Sequence, residues 1–203
     1  MMQISGSAKH EGCCAHGSSG EKQCCCGSGC AGVVDREFAG YSESGNTAPV
    51  LVLALGNPLM SDDGAGQELL ALLAPHASEW GSNVELVDGG TQGLALTGVL
   101  EGRKAVVFLD SVRLGDKPGA VHVLNREELM GMGKRRPTTA HEGSAPEILR
   151  AMELLGEAPR EVRMIGIEPE ALGLGMGLSE SVRGGLAEAS RRAEMAVREM
   201  VAR

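Results

Sequence analysis

At 203 residues, 42% of them hydrophobic, the chain is long enough for one well-buried core with some length left over. A formal net charge of −8 and an aromatic share of 2% argue against nucleic acid, which needs a basic stripe and usually stacking platforms. No apolar run approaches the roughly 20 residues of a membrane helix, and the opening MMQISGSAKHEG lacks the apolar core of a signal peptide, so a cytoplasmic protein with no membrane partner is expected.

All six cysteines (Cys13, Cys14, Cys24, Cys25, Cys26 and Cys30) lie near the amino end, so the rest of the chain is not a disulfide scaffold. Residues 1–48 are rich in Gly, Ser and Cys and have no helix or strand period; they read as a disordered extension, with the folded domain at 49–203. Thiolates together with His10 and His16 would suit a soft metal such as Zn, Cu or Ni. The CC and CCC runs are not the paired CxxC knuckles of zinc modules, and a plain flexible tail is the competing reading.

The unbroken apolar run Val50 to Leu55 predicts a central strand buried on both faces. Gly56, Asn57 and Pro58 break it, and Ser61, Asp62 and Asp63 open a helix with Ala65, Leu69, Leu72 and Leu73 on one face. Val84 to Val87 is a second strand ending in Asp88-Gly89-Gly90-Thr91, and Thr91 is placed to cap a helix running to about Leu100, weakened by Gly93 and Gly98. Ala105 to Leu109 is a third strand that stops at Asp110. This β-α-β-α-β order predicts a parallel sheet with helices on both faces.

Pro118 and Gly119 turn the chain into a short strand, Ala120 to Leu124, expected at an edge, and Asn125 can cap a brief helical turn. The basic loop Lys134 to Thr139 delivers His141. Ser144-Ala145-Pro146-Glu147 is a capping box opening a helix with Ile148, Met152 and Leu155 on one face, and Gly156 ends it. Val162 to Ile167 is the last strand. After the Gly-rich stretch Gly173 to Gly177, Ser179 caps a long helix with Val182, Leu186, Ala189, Ala193, Val197 and Met200 inward.

Asp63 follows the first strand and Asp110 ends the third, so a parallel sheet puts both at the carboxyl edge where ligands bind. The long loop can bring His141 to the same crevice, giving an incomplete shell for a divalent metal such as Ni or Zn. The bland alternatives stay open. Asp62 and Asp63 suit a helix N-terminus, an interaction of roughly 0.3–1 kcal/mol; Asp110 can cap a loop, and a lone loop histidine is commonly just solvated. A nucleotide site is poorly supported, since neither GxGxxG nor GxxxxGK[ST] occurs and Gly89-Gly90-Thr91 is a weak phosphate signal alone. His76 and His122 read as surface or edge residues.

The segments LALGNPLMSDDGAG, VDGGTQG, VVFLDSV, TTAHEG and IGIEPEALGLGMGLSESV occur in an order that resembles the hydrogenase maturation proteases, which trim the large subunit of nickel–iron hydrogenases. The resemblance runs from Val50 to the carboxyl end. It implies a three-layer α/β sandwich with a mostly parallel, twisted sheet of about five strands and a metal-contacting triad that falls on Asp63, Asp110 and His141. The family pattern often has Gly where this chain has Ala54, Glu where it has Asp63 and Pro where it has Ala140, and it lacks a counterpart of the Cys-rich extension.

The activity implied is a single cut near the carboxyl end of the large-subunit precursor after nickel insertion, by a monomeric enzyme. The chain has no HExxH helix; the nickel would be presented by the precursor's cysteines, with the triad completing its shell. A non-catalytic nickel-delivery protein and a small nucleotide-binding module are the alternatives.

Overall fold

The computed structural model describes residues 48–132 and 144–203. The cysteines, and His141 with its loop, lie outside the described residues. In chain order, strand β1 (Val50–Leu55) leads through a 3-10 turn at Ser61–Gly64 into helix α1 (Ala65–Leu73). The one-turn helix α2 (Ala77–Trp80), strand β2 (Val84–Gly90), short helix α3 (Thr97–Leu100) and strand β3 (Ala105–Ser111) follow. Strand β4 (Val121–Asn125), helices α4 (Arg126–Met132) and α5 (Ala145–Leu155), strand β5 (Glu161–Ile167) and helix α6 (Glu180–Val201) complete the domain.

The five strands form one sheet in the order β2-β1-β3-β5-β4. β1 pairs in parallel with β2 and β3, and β3 with β5, while β4 runs antiparallel to β5 at the edge. Alternation along β1 explains why an uninterrupted apolar run was needed. Val50, Val52 and Ala54 face one core with Ala65, Leu69 and Leu73 of α1 and Val182, Ala189, Ala193 and Val197 of α6. Leu51, Leu53 and Leu55 face the other, with Leu100 of α3, Leu129 of α4 and Ile148, Leu149 and Met152 of α5. Each large aliphatic side chain taken fully out of water stabilises the fold by about 1.5–3 kcal/mol. With few aromatics, the two layers are held by many such medium-sized contributions. The result is the expected three-layer α/β sandwich.

Local signals set most boundaries. Ser144 and Glu147 form the capping box of α5, and Gly156 ends it in the left-handed region at φ 76. Asn125 Oδ1 accepts from Glu128 N while the Glu128 carboxylate accepts from Asn125 N, which caps α4. The segment after β2 departs from expectation. β2 continues to Gly90, and the helical path starts only as a 3-10 turn at Gly93–Leu96. Gly93, at φ 59, breaks the helix expected from Thr91, leaving only α3. Two residues expected on inner faces are also out. Leu72 is 44% exposed because Ala65, Leu69 and Leu73 already fill the contact of α1, and Leu149 replaces the 64% exposed Leu155 on α5.

Candidate active site

The turn between β1 and α1 carries the first carboxylates. Gly56 leaves β1 at φ 116, and a Cβ there would collide with the Asp63 carbonyl, so only glycine fits. Gly56 N donates to Gly90 O (3.1 Å), and Asn57 N donates to Asp63 Oδ2 (2.8 Å), folding the turn back on itself. Gln67 Nε2 braces it from α1 by donating to Gly56 O (3.0 Å) and Asp88 Oδ1 (3.2 Å). Gly66, inside the helix, has a packing role: a Cβ would strike the carbonyls of Leu55 and Leu109, so α1 sits directly on the carboxyl ends of β1 and β3. That close approach brings Asp63 to the end of β3, where Asp110 lies.

Asp63 and Asp110 are both buried, at 4% and 5% exposure. Ser111 links them: its N–H donates to Asp110 Oδ1 (2.8 Å), and its hydroxyl lies at 3.4 Å from Asp63 Oδ1, a long hydrogen bond. Burial, and then the neighbouring Asp63 charge, push the Asp110 carboxyl up to about 8, against the lowering effect of the Ser111 N–H. Two carboxylates confined together in this way are a hard-oxygen donor pair that a divalent cation would stabilise in the fully ionised state. The structure thus brings together Asp63 and Asp110; the third candidate, His141, lies outside the described residues.

Asp62 departs from its expected role. It is wholly buried, and its carboxylate accepts four hydrogen bonds from a segment more than a hundred residues away: Glu170 N (2.8 Å), Ala171 N (2.9 Å), Ser179 N (2.6 Å) and Ser179 Oγ (3.0 Å). Burial raises its carboxyl, and the bonds from Ala171, Ser179 and Glu170 outweigh that, holding it below the usual carboxylate value. Asp62 is a tertiary clamp rather than a partner of the α1 dipole. Its role, like that of Ser111, was missed from the sequence; the one signal available was an adjacent Asp-Asp pair where a helix start needs only one acid.

A fourth buried carboxylate, Glu168, stands at the carboxyl end of β5. It accepts from Leu114 N (2.8 Å) and Gly115 N (3.1 Å) and so ties down the loop after β3. His122, expected at an edge, is on the edge strand β4, with Nε2 3.7 Å from Glu168 Oε2. His76 is at the surface as expected. Among the described residues it is grouped with Glu79 and Glu194 closely enough to hold an ion, but Arg198 already pairs with both glutamates.

Comparison with known proteins agrees with this architecture. The family model described as HycI, hydrogenase maturation protease, matches residues 69–196, more than half of the chain. A hydrogenase expression/formation protein HupD of Rhodobacter capsulatus is 32% identical over 61% of this chain, a stretch that spans 58% of that protein's length. Among solved structures, the hydrogenase maturating endopeptidase HybD from Escherichia coli superposes with a TM-score of 0.65 at 28% identity, covering 74% of this chain and 92% of that one. The [NiFe] hydrogenase maturation protease HybD from Thermococcus kodakarensis gives 0.60 at 33% identity, covering 73% and 98%. The chain belongs to the hydrogenase maturation protease family.

Proposed function

We propose that this protein is an endopeptidase that removes a carboxyl-terminal peptide from the nickel-loaded large-subunit precursor of a nickel–iron hydrogenase. The observation that carries the reading is the Asp63–Asp110 pair, buried side by side at the carboxyl edge of a parallel sheet, on a chain of this family. Asp63, Asp110 and His141 are the residues we assign to the metal, which belongs to the substrate: nickel arrives held by the precursor's thiolates, and the protease completes its shell. An empty precursor offers the three residues nothing to bind, so nickel acts as a mark of readiness. When bound, the cation would supply Lewis-acid chemistry for hydrolysis of the peptide bond by water. This chain supplies the fixed carboxylates, held in place by Asn57 N–H and by Ser111. The catalyst acts as a monomer in the cytoplasm in this reading.

The test is to mix the protein with nickel-loaded and nickel-free precursor and to follow loss of the carboxyl-terminal peptide by mass spectrometry. Cutting should track nickel occupancy of the precursor, and pre-loading the protease alone should not substitute. Asp63→Ala, Asp110→Ala and His141→Ala should each abolish cutting in a protein that still folds. Efficient cutting of nickel-free precursor would sink the recognition role, and wild-type activity in any one variant would remove that residue from the site.

A further inference from the structure

The segment Ala171-Leu172-Gly173-Leu174-Gly175-Met176-Gly177-Leu178 contains no charged or hydrogen-bonding side chain. It is nevertheless stitched to the turn that bears Asp63. Ser61 N donates to Gly175 O (2.8 Å), Gly175 N donates to Leu59 O (3.0 Å), and Ser61 Oγ donates to Gly173 O (3.0 Å). Met60 and Gly175 thereby form an isolated parallel bridge outside the main sheet. The four bonds to Asp62 fasten both ends of the segment, at Glu170–Ala171 and at Ser179. Held so firmly, the segment still leaves Leu174 at 91% exposure and Met176 at 86%, next to Leu59 at 58% on the turn itself. Large apolar side chains on a pinned backbone mark an interaction surface more than a loose loop would.

We infer that Leu59, Leu174 and Met176 form the seat for an extended, apolar stretch of the substrate polypeptide beside the scissile bond, and that Asp62 is the positioning residue that sets this seat relative to Asp63. This rests on the proposed function above and adds the substrate surface and a residue acting at a distance from the cut. The occupant follows from position. A chain cut at the Asp63–Asp110 pair would pass the turn that carries Asp63, and between the clamped ends Glu170 and Ser179 the segment bonded to that turn presents apolar side chains and glycine backbone. Asp62 and Asp63 are consecutive, so any shift of the clamped segment moves the seat against the acid.

The test compares wild type, Leu174→Ser/Met176→Ser, Asp62→Asn and the triple variant, in binding to nickel-loaded precursor and in cutting it. The serine pair is fully exposed, so its melting temperature should match wild type. Its Kd and KM should rise about tenfold or more, the loss expected when buried Leu and Met contacts are removed, with kcat held within about twofold. Asp62→Asn keeps the shape but exchanges one acceptor oxygen for a donor, and should raise KM in the same direction. Because both act through one surface, the triple variant should be weaker than wild type by less than the product of the two effects.

Unchanged binding by the serine pair, or no binding even by wild type, would overturn the seat. Effects of Asp62→Asn and the serine pair that multiply would overturn the positioning role. Binding that depends on Leu174 and Met176 without any cutting would instead count against the endopeptidase reading and leave the seat standing.

Discussion

Replacing Asp110 by Asn should stabilise the protein at neutral and alkaline pH while ending its activity. The Asp110 carboxyl titrates at about 8 in the folded chain against an ordinary 3.8, so between those values the folded state holds a proton that the unfolded chain has released. Stability contributed by such a group is complete below the ordinary value and is lost as pH rises through the window, because the slope follows the excess of protons on the folded side. At about 1.36 kcal/mol per pKa unit, the loss by pH 8 is on the order of a few kcal/mol. Asn keeps the acceptor for Ser111 N–H and presents a donor where Asp110 faces the Asp63 charge, so it removes the penalty without a cavity. For a domain of this size, ~2 kcal/mol corresponds to about 4–8 °C in Tm.

The assay is thermal unfolding of metal-free wild type and Asp110→Asn from pH 5 to pH 8. The variant should already lead by a modest margin at pH 5, and the gap should widen steadily towards pH 8 as wild type loses stability relative to it. Parallel curves, or a variant less stable at pH 8, would refute the buried-pair reasoning. A gain in stability on removing this buried carboxyl is what the proposed cation-binding role of Asp110 would produce.

Asp62→Ala should be far more damaging than a helix-terminus contact suggests. It leaves Glu170, Ala171 and Ser179 N–H groups without their acceptor at about 1–3 kcal/mol each, and denaturant unfolding showing a loss below ~1 kcal/mol would contradict the clamp. Deleting residues 1–47 retains Ala48, whose carbonyl accepts from Arg103 (2.8 Å), and should leave folding and processing intact at high nickel. If the six cysteines deliver metal, a processing defect should emerge only as nickel is lowered; equal activity across the series makes the tail inert.

The centre of the sheet was legible because β1 and β3 are apolar on both sides, and burial on both sides admits few alternatives to a central parallel strand. Asp110 was legible for the same reason: a charge ending the run Ala105 to Leu109 has nowhere to go but the carboxyl edge. What could not be read was long-range pairing. Nothing near Asp62 in sequence announces that its partners are at Glu170, Ala171 and Ser179, and three of its four bonds are to backbone N–H groups, which any residue type could supply. The break at Gly93 was hidden differently: glycine weakens a helix by only about 1 kcal/mol, so local propensity alone could not decide whether the strand before it would run on to Gly90.

The two adjacent aspartates do opposite work because of the turn that carries them. Ser61–Gly64 is a 3-10 turn, in which consecutive side chains point about 120° apart. Asp63 therefore projects to the sheet edge and Asp110, while Asp62 projects to the segment before α6. The tight turn has a cost, visible at Ser61, a non-glycine residue at φ 54, a conformation worth roughly 1–3 kcal/mol of strain. Ser61 is held there by the same backbone contacts with Gly175 that Asp62 reinforces. The clamp and the strained turn are thus one device: the bonds that pin the apolar segment also hold the geometry that separates the clamping Asp62 from Asp63 beside Asp110.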